Sequence, residues 1–228
     1  MTSTRLPGKV LLPLCGKTVL EVMMERLVLF KDNIIIATTN DGTQQPIIDI
    51  CQKHGLKFYE GDTQNVLSRY YEAALQFGAK QNDIIVRCTS DCPLMDKEIV
   101  QKTIDFFIAS EADYTHNSGF PVGISAEVFR FSLLQEAYEN AHSEYEKEHV
   151  TPYMYISGKD KFKITAFKSE KNESSHRITL DEIDDYTAIQ EIYKLFDCRT
   201  DFAYNDLVNK LKENPHIFAL NSHVVQKS

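Results

Sequence analysis

The 228-residue sequence has no uncharged apolar run long enough to span a bilayer, and its amino terminus lacks the charged-then-apolar pattern of a secretory signal. Both absences point to a cytoplasmic protein with no membrane partner. Positive charge is also scarce: 25 Lys and Arg stand against 33 Asp and Glu, a formal net charge of −8. Such a surface repels a polyphosphate backbone, so nucleic acid is not expected as a partner. The five cysteines, Cys15, Cys51, Cys88, Cys92 and Cys198, form an odd set without a C-x-x-C spacing. That set argues against a disulfide framework and suits a reducing compartment, with most thiols acting as small buried hydrophobes. Cys88, Cys92 and His116 match no common zinc spacing. Internal repeats and low-complexity segments are lacking as well.

What is present is an ordinary globular balance, 43% hydrophobic and 25% charged, in a length suited to one main domain with an appendage. After Thr18, the residues Val19, Leu20, Met23, Met24, Leu27 and Val28 fall on one helical face. Residues 33–37 are short and almost uniformly apolar, which predicts a strand buried on both faces, with a polar turn over 38–43 behind it. A helix over 46–54 stopping at Gly55, a strand over 56–59 and a helix capped by Thr63 or Asn65 and closed by Gly78 come next. A third buried strand covers 83–88, and a helix begins at Asp96. This alternation predicts an α/β domain around a mostly parallel sheet, with ligands beyond the carboxyl ends of its strands.

Residues 113–168 break the rhythm with a strand over 114–117, a turn at 120–123, two helices within 132–156 and a strand over 162–167. A substrate or dimerisation arm is expected there, within a main domain of residues 1–197. A strand over 176–180 runs into Asp181, a helix covers 184–196, and a polar tail over 198–228 is helical near 204–212.

The opening segment gathers hydroxyls, a guanidinium, an ammonium and a turn-forming glycine: Thr2, Ser3, Thr4, Arg5, Gly8 and Lys9. Such a loop can wrap a triphosphate, its amides and hydroxyls donating to phosphate oxygens while Arg5 and Lys9 offset charge on a leaving pyrophosphate. A mobile amino-terminal tail has the same composition. The net negative charge does not forbid an anionic nucleotide, since close contacts outweigh a screened overall charge. Arg87 and Arg177 sit in or beside buried strands, where each requires an anionic partner, an internal carboxylate or a substrate.

Five motifs occur in order: S-T-R-L-P-G-K-V-L at 3–11, A-T-T-N at 37–40, S-D-C-P-L at 90–94, E-K-E-H-V-T-P-Y at 146–153, and T-L-D at 179–181 followed by D-Y at 185–186. Together they resemble the spore-coat polysaccharide biosynthesis F family, which groups with the cytidylyltransferases that activate acidic sugars such as 3-deoxy-manno-octulosonate and the sialic acids. The resemblance implies a three-layer, Rossmann-like nucleotide-diphospho-sugar transferase fold. It also implies CTP and a sugar as substrates, Mg²⁺ as cofactor, and a homodimer.

By that resemblance Ser3, Thr4, Arg5 and Lys9 belong to the triphosphate signature, with Arg5, Lys9 and Asp91 as catalytic residues. Thr38, Thr39 and Asn40 are placed at the nucleoside, although a surface turn explains them equally well. Ser90 and Arg69 join the nucleotide site, Arg69 having a solvent-facing ion pair as its alternative. Asp91 and Asp181 are the implied Mg²⁺ ligands, since two carboxylates from separate strand ends can flank a hard cation. Each could instead cap the helix that follows it. Glu148 and His149 are implied on the sugar side, and His176 is read as a hydrogen-bonded structural residue.

The sequence departs from the resembling family at two places. It opens inside the signature, without the apolar strand that usually precedes it, so a start further upstream or a shortened and impaired product is expected. At 120–125 it carries Phe-Pro-Val-Gly-Ile-Ser, where relatives more often place an Arg after the Pro and an Asp after a Gly-Leu pair. The reaction implied is attack of a sugar hydroxyl on the α-phosphorus of CTP. The alternatives are a nucleotide-sugar-dependent glycosyltransferase, disfavoured by the lack of a D-x-D run in the first half, and a non-catalytic dimeric binding protein that retains the fold.

Overall fold

In the computed structural model, which describes residues 5–226, the chain enters through a turn at Lys9–Leu11 and a small hairpin, β1 (Pro13–Leu14) and β2 (Lys17–Thr18). Thr18 then starts α1 (Val19–Arg26): its hydroxyl accepts the Glu21 N–H while the Glu21 carboxylate accepts the Thr18 N–H. The helix buries Val19, Leu20, Val22 and Met23, and beyond it residues 28–33 tighten into a 3₁₀ turn.

β3 (Ile35–Thr39) and β4 (Lys57–Gly61) pair in parallel, joined by α2 (Gln45–His54). β3 runs further than expected. Thr38 and Thr39 are not a turn but buried strand residues, because β4 continues opposite them with Glu60 and Gly61. Asn65, through the Ser68 N–H, caps α3 (Val66–Gln76), which leads to β5 (Ile84–Arg87). Asp96 accepts the Glu98 and Ile99 N–H groups and opens α4 (Lys97–Ser110).

The middle stretch supplies β6 (Tyr114–Ser118), β7 (Glu127–Arg130), α5 (Phe131–Asn140), α6 (Glu144–His149) and β8 (Ile164–Lys168). With β5 these strands make a four-stranded sheet in the order β5-β7-β6-β8, in which β7 alone runs against the others. Among the described residues β3 pairs only with β4, and β5 only with β7, so no strand joins the two sheets. The residues of β5 are accordingly half-exposed rather than buried on both faces.

Residues 176–180 do not form the expected strand. They make a single parallel bridge, Arg177 to Val122, and bend at Thr179. Gly123 has φ +112°, and a Cβ on it would meet the Thr179 nitrogen at 2.7 Å. The chain ends in α7 (Ile183–Lys194), α8 (Tyr204–Glu213) and α9 (His216–Ala219). Leu207, Leu211 and Ile217 of this tail are buried in the main core with Val19, Leu94, Ile189 and Tyr193.

One expectation about the cysteines is overturned: Cys15 and Cys198 form a disulfide, Cα to Cα 5.4 Å. Spacing rules miss it because the partners stand 183 positions apart and meet only once α1 and α7 share a core. Cys51 and Cys92 are buried free thiols, as expected. Among the described residues no helix is long and apolar enough to cross a membrane.

Candidate active site

Gly8, at φ +68°, turns the opening segment so that Lys9 starts a 3₁₀ turn held by the Leu11 N–H to the Gly8 carbonyl at 2.8 Å. From that fixed base the Lys9 ammonium donates to Asp91 Oδ2 at 2.5 Å and to Asp181 Oδ1 at 2.9 Å. The two carboxylates come together through the backbone. The Asp91 carbonyl accepts the Leu180 N–H at 2.8 Å and the Thr179 hydroxyl at 3.2 Å, which sets residue 181 beside the turn after β5. Tyr193 steadies the same turn with a hydroxyl on the Pro93 carbonyl at 2.7 Å.

The other Asp181 oxygen receives Arg177 Nη2 at 2.7 Å and Arg5 Nη2 at 3.3 Å, and Arg5 also reaches Glu182 at 3.3 Å. Behind them Asp185, fully buried, accepts Arg177, Asn221 and the N–H groups of Asp181 and Glu182. Every buried charge here has partners, as a low-dielectric site demands. Burial works against the charge of Lys9, but the attraction of Asp91 and hydrogen bonds to Asp181 and Asp91 prevail and raise its pKa. Burial likewise opposes ionisation of Asp181, yet Lys9, Arg177 and Arg5 hold its carboxyl below the usual range.

A cleft of about 180 Å³ opens beside Lys9, with Thr38, Thr39, Arg69 and Ser90 among its walls. Arg69 is not a surface ion pair: Nη1 donates to the Asp62 carbonyl at 2.7 Å, while Nε is buried without a hydrogen-bond partner. Asn40 is exposed next to the cleft-forming strand, its N–H on the Gly61 carbonyl at 3.0 Å. Ser3 and Thr4 lie outside the described residues. A larger hollow of about 300 Å³ near Arg26 and Asp96 is remote from these groups in character, since Arg26 is taken by the Met95, Thr200 and Phe202 carbonyls.

Both arginines for which a partner was required have internal carboxylates: Arg177 has Asp181 and Asp185, and Arg87 has Glu127. Glu127 also accepts the Tyr114 hydroxyl and, at 2.7 Å, the Thr151 hydroxyl. Thr151 is held there by a γ-turn, with Val150 at φ 73°, ψ −55° and the Thr151 N–H on the His149 carbonyl at 2.9 Å. A β-branched residue in that conformation is strained, which places a constrained corner inside the 146–153 motif. Glu148 is exposed and His149 half-buried against Tyr145, and neither takes part in the Lys9 group. Asp185 and Glu182 were missed as site residues. Their signal was the Asp181-Glu182-x-x-Asp185 spacing, which lets the last carboxylate reach back to two amides.

The pair Asp91 and Asp181 fits a divalent cation, because both already direct one oxygen at a single positive centre. Among the described residues no group of three or more His, Cys, Asp or Glu converges. Two carboxylates without a cage suit Mg²⁺, which keeps water and substrate phosphates as its remaining ligands.

Comparison with known proteins identifies the family. The spore coat polysaccharide biosynthesis protein SpsF of Bacillus subtilis is 28% identical over 94% of this chain and 92% of its own length. A solved cytidylyltransferase from Leptospira borgpetersenii superposes with a TM-score of 0.89 at 34% identity, covering 96% of this chain and 92% of the other. A CMP:2-keto-3-deoxy-manno-octonic acid synthetase solved with CTP shares the fold, with a TM-score of 0.63 at 15% identity over 85% of this chain and 94% of the other. Residues 1–216, from the Lys9 turn through both carboxylates to the last helices, match one family along almost the whole chain, and the protein belongs to the cytidylyltransferases.

Proposed function

We propose that this cytidylyltransferase uses CTP to place CMP on a sugar, releasing pyrophosphate, in the assembly of a surface polysaccharide or related glycan. The observation that carries the reading is the meeting of Lys9, Asp91 and Asp181 beside the cleft lined by Thr38, Thr39, Arg69 and Ser90. In this scheme Asp91 and Asp181 would hold Mg²⁺, which would lower the charge barrier at the α-phosphate. Arg5 and Lys9 neutralise the triphosphate and the departing pyrophosphate. The cleft walls orient the nucleoside, and the corner at residues 146–153 borders the sugar. A sugar hydroxyl oxygen then bonds to the α-phosphorus as the bond from that phosphorus to the α,β-bridging oxygen breaks; the hydroxyl proton passes to water and pyrophosphate leaves. No covalent enzyme intermediate is required.

Exposed Tyr138, Tyr145 and Ile156 on the middle stretch supply an apolar surface for a homodimer, which light scattering on purified protein tests. The activity is tested by pyrophosphate release from each of the four ribonucleoside triphosphates against a panel of neutral and acidic sugars with Mg²⁺. Turnover confined to CTP and one sugar class is expected. No release in any combination, with no CTP-dependent thermal shift, would leave a binding protein on this fold.

A further inference from the structure

The Lys9 ammonium lies between the two oxygens that would face a divalent cation, Asp91 Oδ2 and Asp181 Oδ1. Two positive centres cannot share that position, since at contact distance they repel in a partly buried setting where screening is weak. The other cations of the site do not compete for it. Arg5 and Arg177 both approach Asp181 through Oδ2. Oδ1 is thus reserved for whichever cation also touches Asp91.

We propose that Lys9 is a built-in counter-ion that closes the Asp91–Asp181 pair to divalent metal until a nucleoside triphosphate draws its ammonium away. The inference rests on the proposed nucleotide site, because it needs a polyanion beside Lys9. The cleft beginning at Lys9 provides the place, and no backbone movement is needed. Gly8 and the 3₁₀ turn fix the Lys9 main chain, while its four-carbon stem can swing between carboxylates and phosphate. Metal and nucleotide then bind as a coupled pair, and the metal does not precede the nucleotide. Between substrates the same ammonium neutralises two carboxylates that would otherwise repel each other.

Direct Mn²⁺ binding tests this without any turnover, by the electron paramagnetic resonance signal of free Mn²⁺ over the full-length protein. Nucleotide-free wild type is expected to bind Mn²⁺ weakly, and Lys9→Met to bind it about 10-fold tighter or more, within the usual range of coupling between sites. Arg5→Gln removes an equal charge from Asp181 but leaves the bridge intact, so its gain is expected to be no more than about a quarter of that factor. Adding Asp91→Asn to Lys9→Met abolishes the gain, which locates the bound metal on the carboxylate pair. Lys9→Gln, whose amide can still donate to one carboxylate, provides a second uncharged variant should the Met form fold poorly.

Wild type that binds Mn²⁺ as tightly as the uncharged variants overturns the proposal, as does an equal gain in Arg5→Gln. CTP is expected to tighten Mn²⁺ binding far more in wild type than in Lys9→Met. Equal tightening in both means that the triphosphate does not displace Lys9, which also overturns it. Failure of the nucleotide reading itself looks different: labelled CTP is then not retained in equilibrium dialysis by any form, with or without Mn²⁺.

Discussion

Arg177 meets Asp185 with two nitrogens, Nε on Oδ1 at 2.8 Å and Nη2 on Oδ2 at 3.0 Å, and the same Nη2 lies 2.7 Å from Asp181. The fully buried Asp185 carboxylate thereby positions the Arg5- and Lys9-bound Asp181 from behind, through both the guanidinium and the Asp181 N–H.

Asp185→Asn should therefore act on stability first. Breaking a buried pair leaves the Arg177 charge undercompensated, at a cost of about 3 to 5 kcal/mol. Urea unfolding of wild type and variant measures it. A change below about 1 kcal/mol would show the pair to be replaceable.

Acid should destabilise the protein through carboxylates that the fold holds ionised, Asp181, Asp185 and Glu146 among them. Burial opposes ionisation of Asp181 and Asp185, but their cationic partners hold both pKa values down. Glu146, at the start of α6, is held at about 2 despite its burial by the Ser157 and Ser143 hydroxyls and nearby amides. Folded pKa values below the unfolded ones mean that the unfolded chain binds more protons in between. The stabilisation is complete above the ordinary carboxylate value and is lost as pH falls through the folded values. For Glu146 the window runs from 4.5 down to about 2. Thermal melts across that window should fall steeply for wild type and less steeply for Glu146→Gln. Parallel curves would assign the acid sensitivity elsewhere.

The Cys15–Cys198 disulfide ties the hairpin beside Lys9 to the linker after α7. Cys198→Ser, or reduction of wild type, should lower stability by about 2 to 5 kcal/mol, because the loop that it closes spans most of the chain. Melting with and without dithiothreitol checks this, and identical curves for wild type would mean that the bond is not formed in solution.

Much of the fold was legible where a local signal coincided with a tertiary demand. Thr18, Asn65 and Asp96 each cap the helix that the apolar spacing predicts, and α2 ends at Gly55 as read. β7 was invisible because Glu127–Arg130 runs directly into α5 with no turn residue between them. Thr38 and Thr39 read as a turn by composition, yet the continuing β4 makes them strand. In the site, Asp91 and Asp181 were singled out by their motifs, although no strand forms over 176–180 before Asp181. Their shared hold on Lys9 was not legible, since it depends on the Leu180 N–H reaching the Asp91 carbonyl. Arg87 and Arg177 announced that they needed anions, but only the packed structure identifies Glu127 and Asp185 as those partners.

The central claim is attack at the α-phosphorus, and the fate of labelled phosphate tests it most directly. With the sugar that supports turnover, label in the α-position of CTP should appear in the sugar nucleotide and label in the γ-position in free pyrophosphate. Asp91→Asn, folded as judged by its melt, should slow both by roughly 10²-fold or more. γ-label found on the sugar, or α-label recovered only as CMP, would contradict the transfer of CMP by this site.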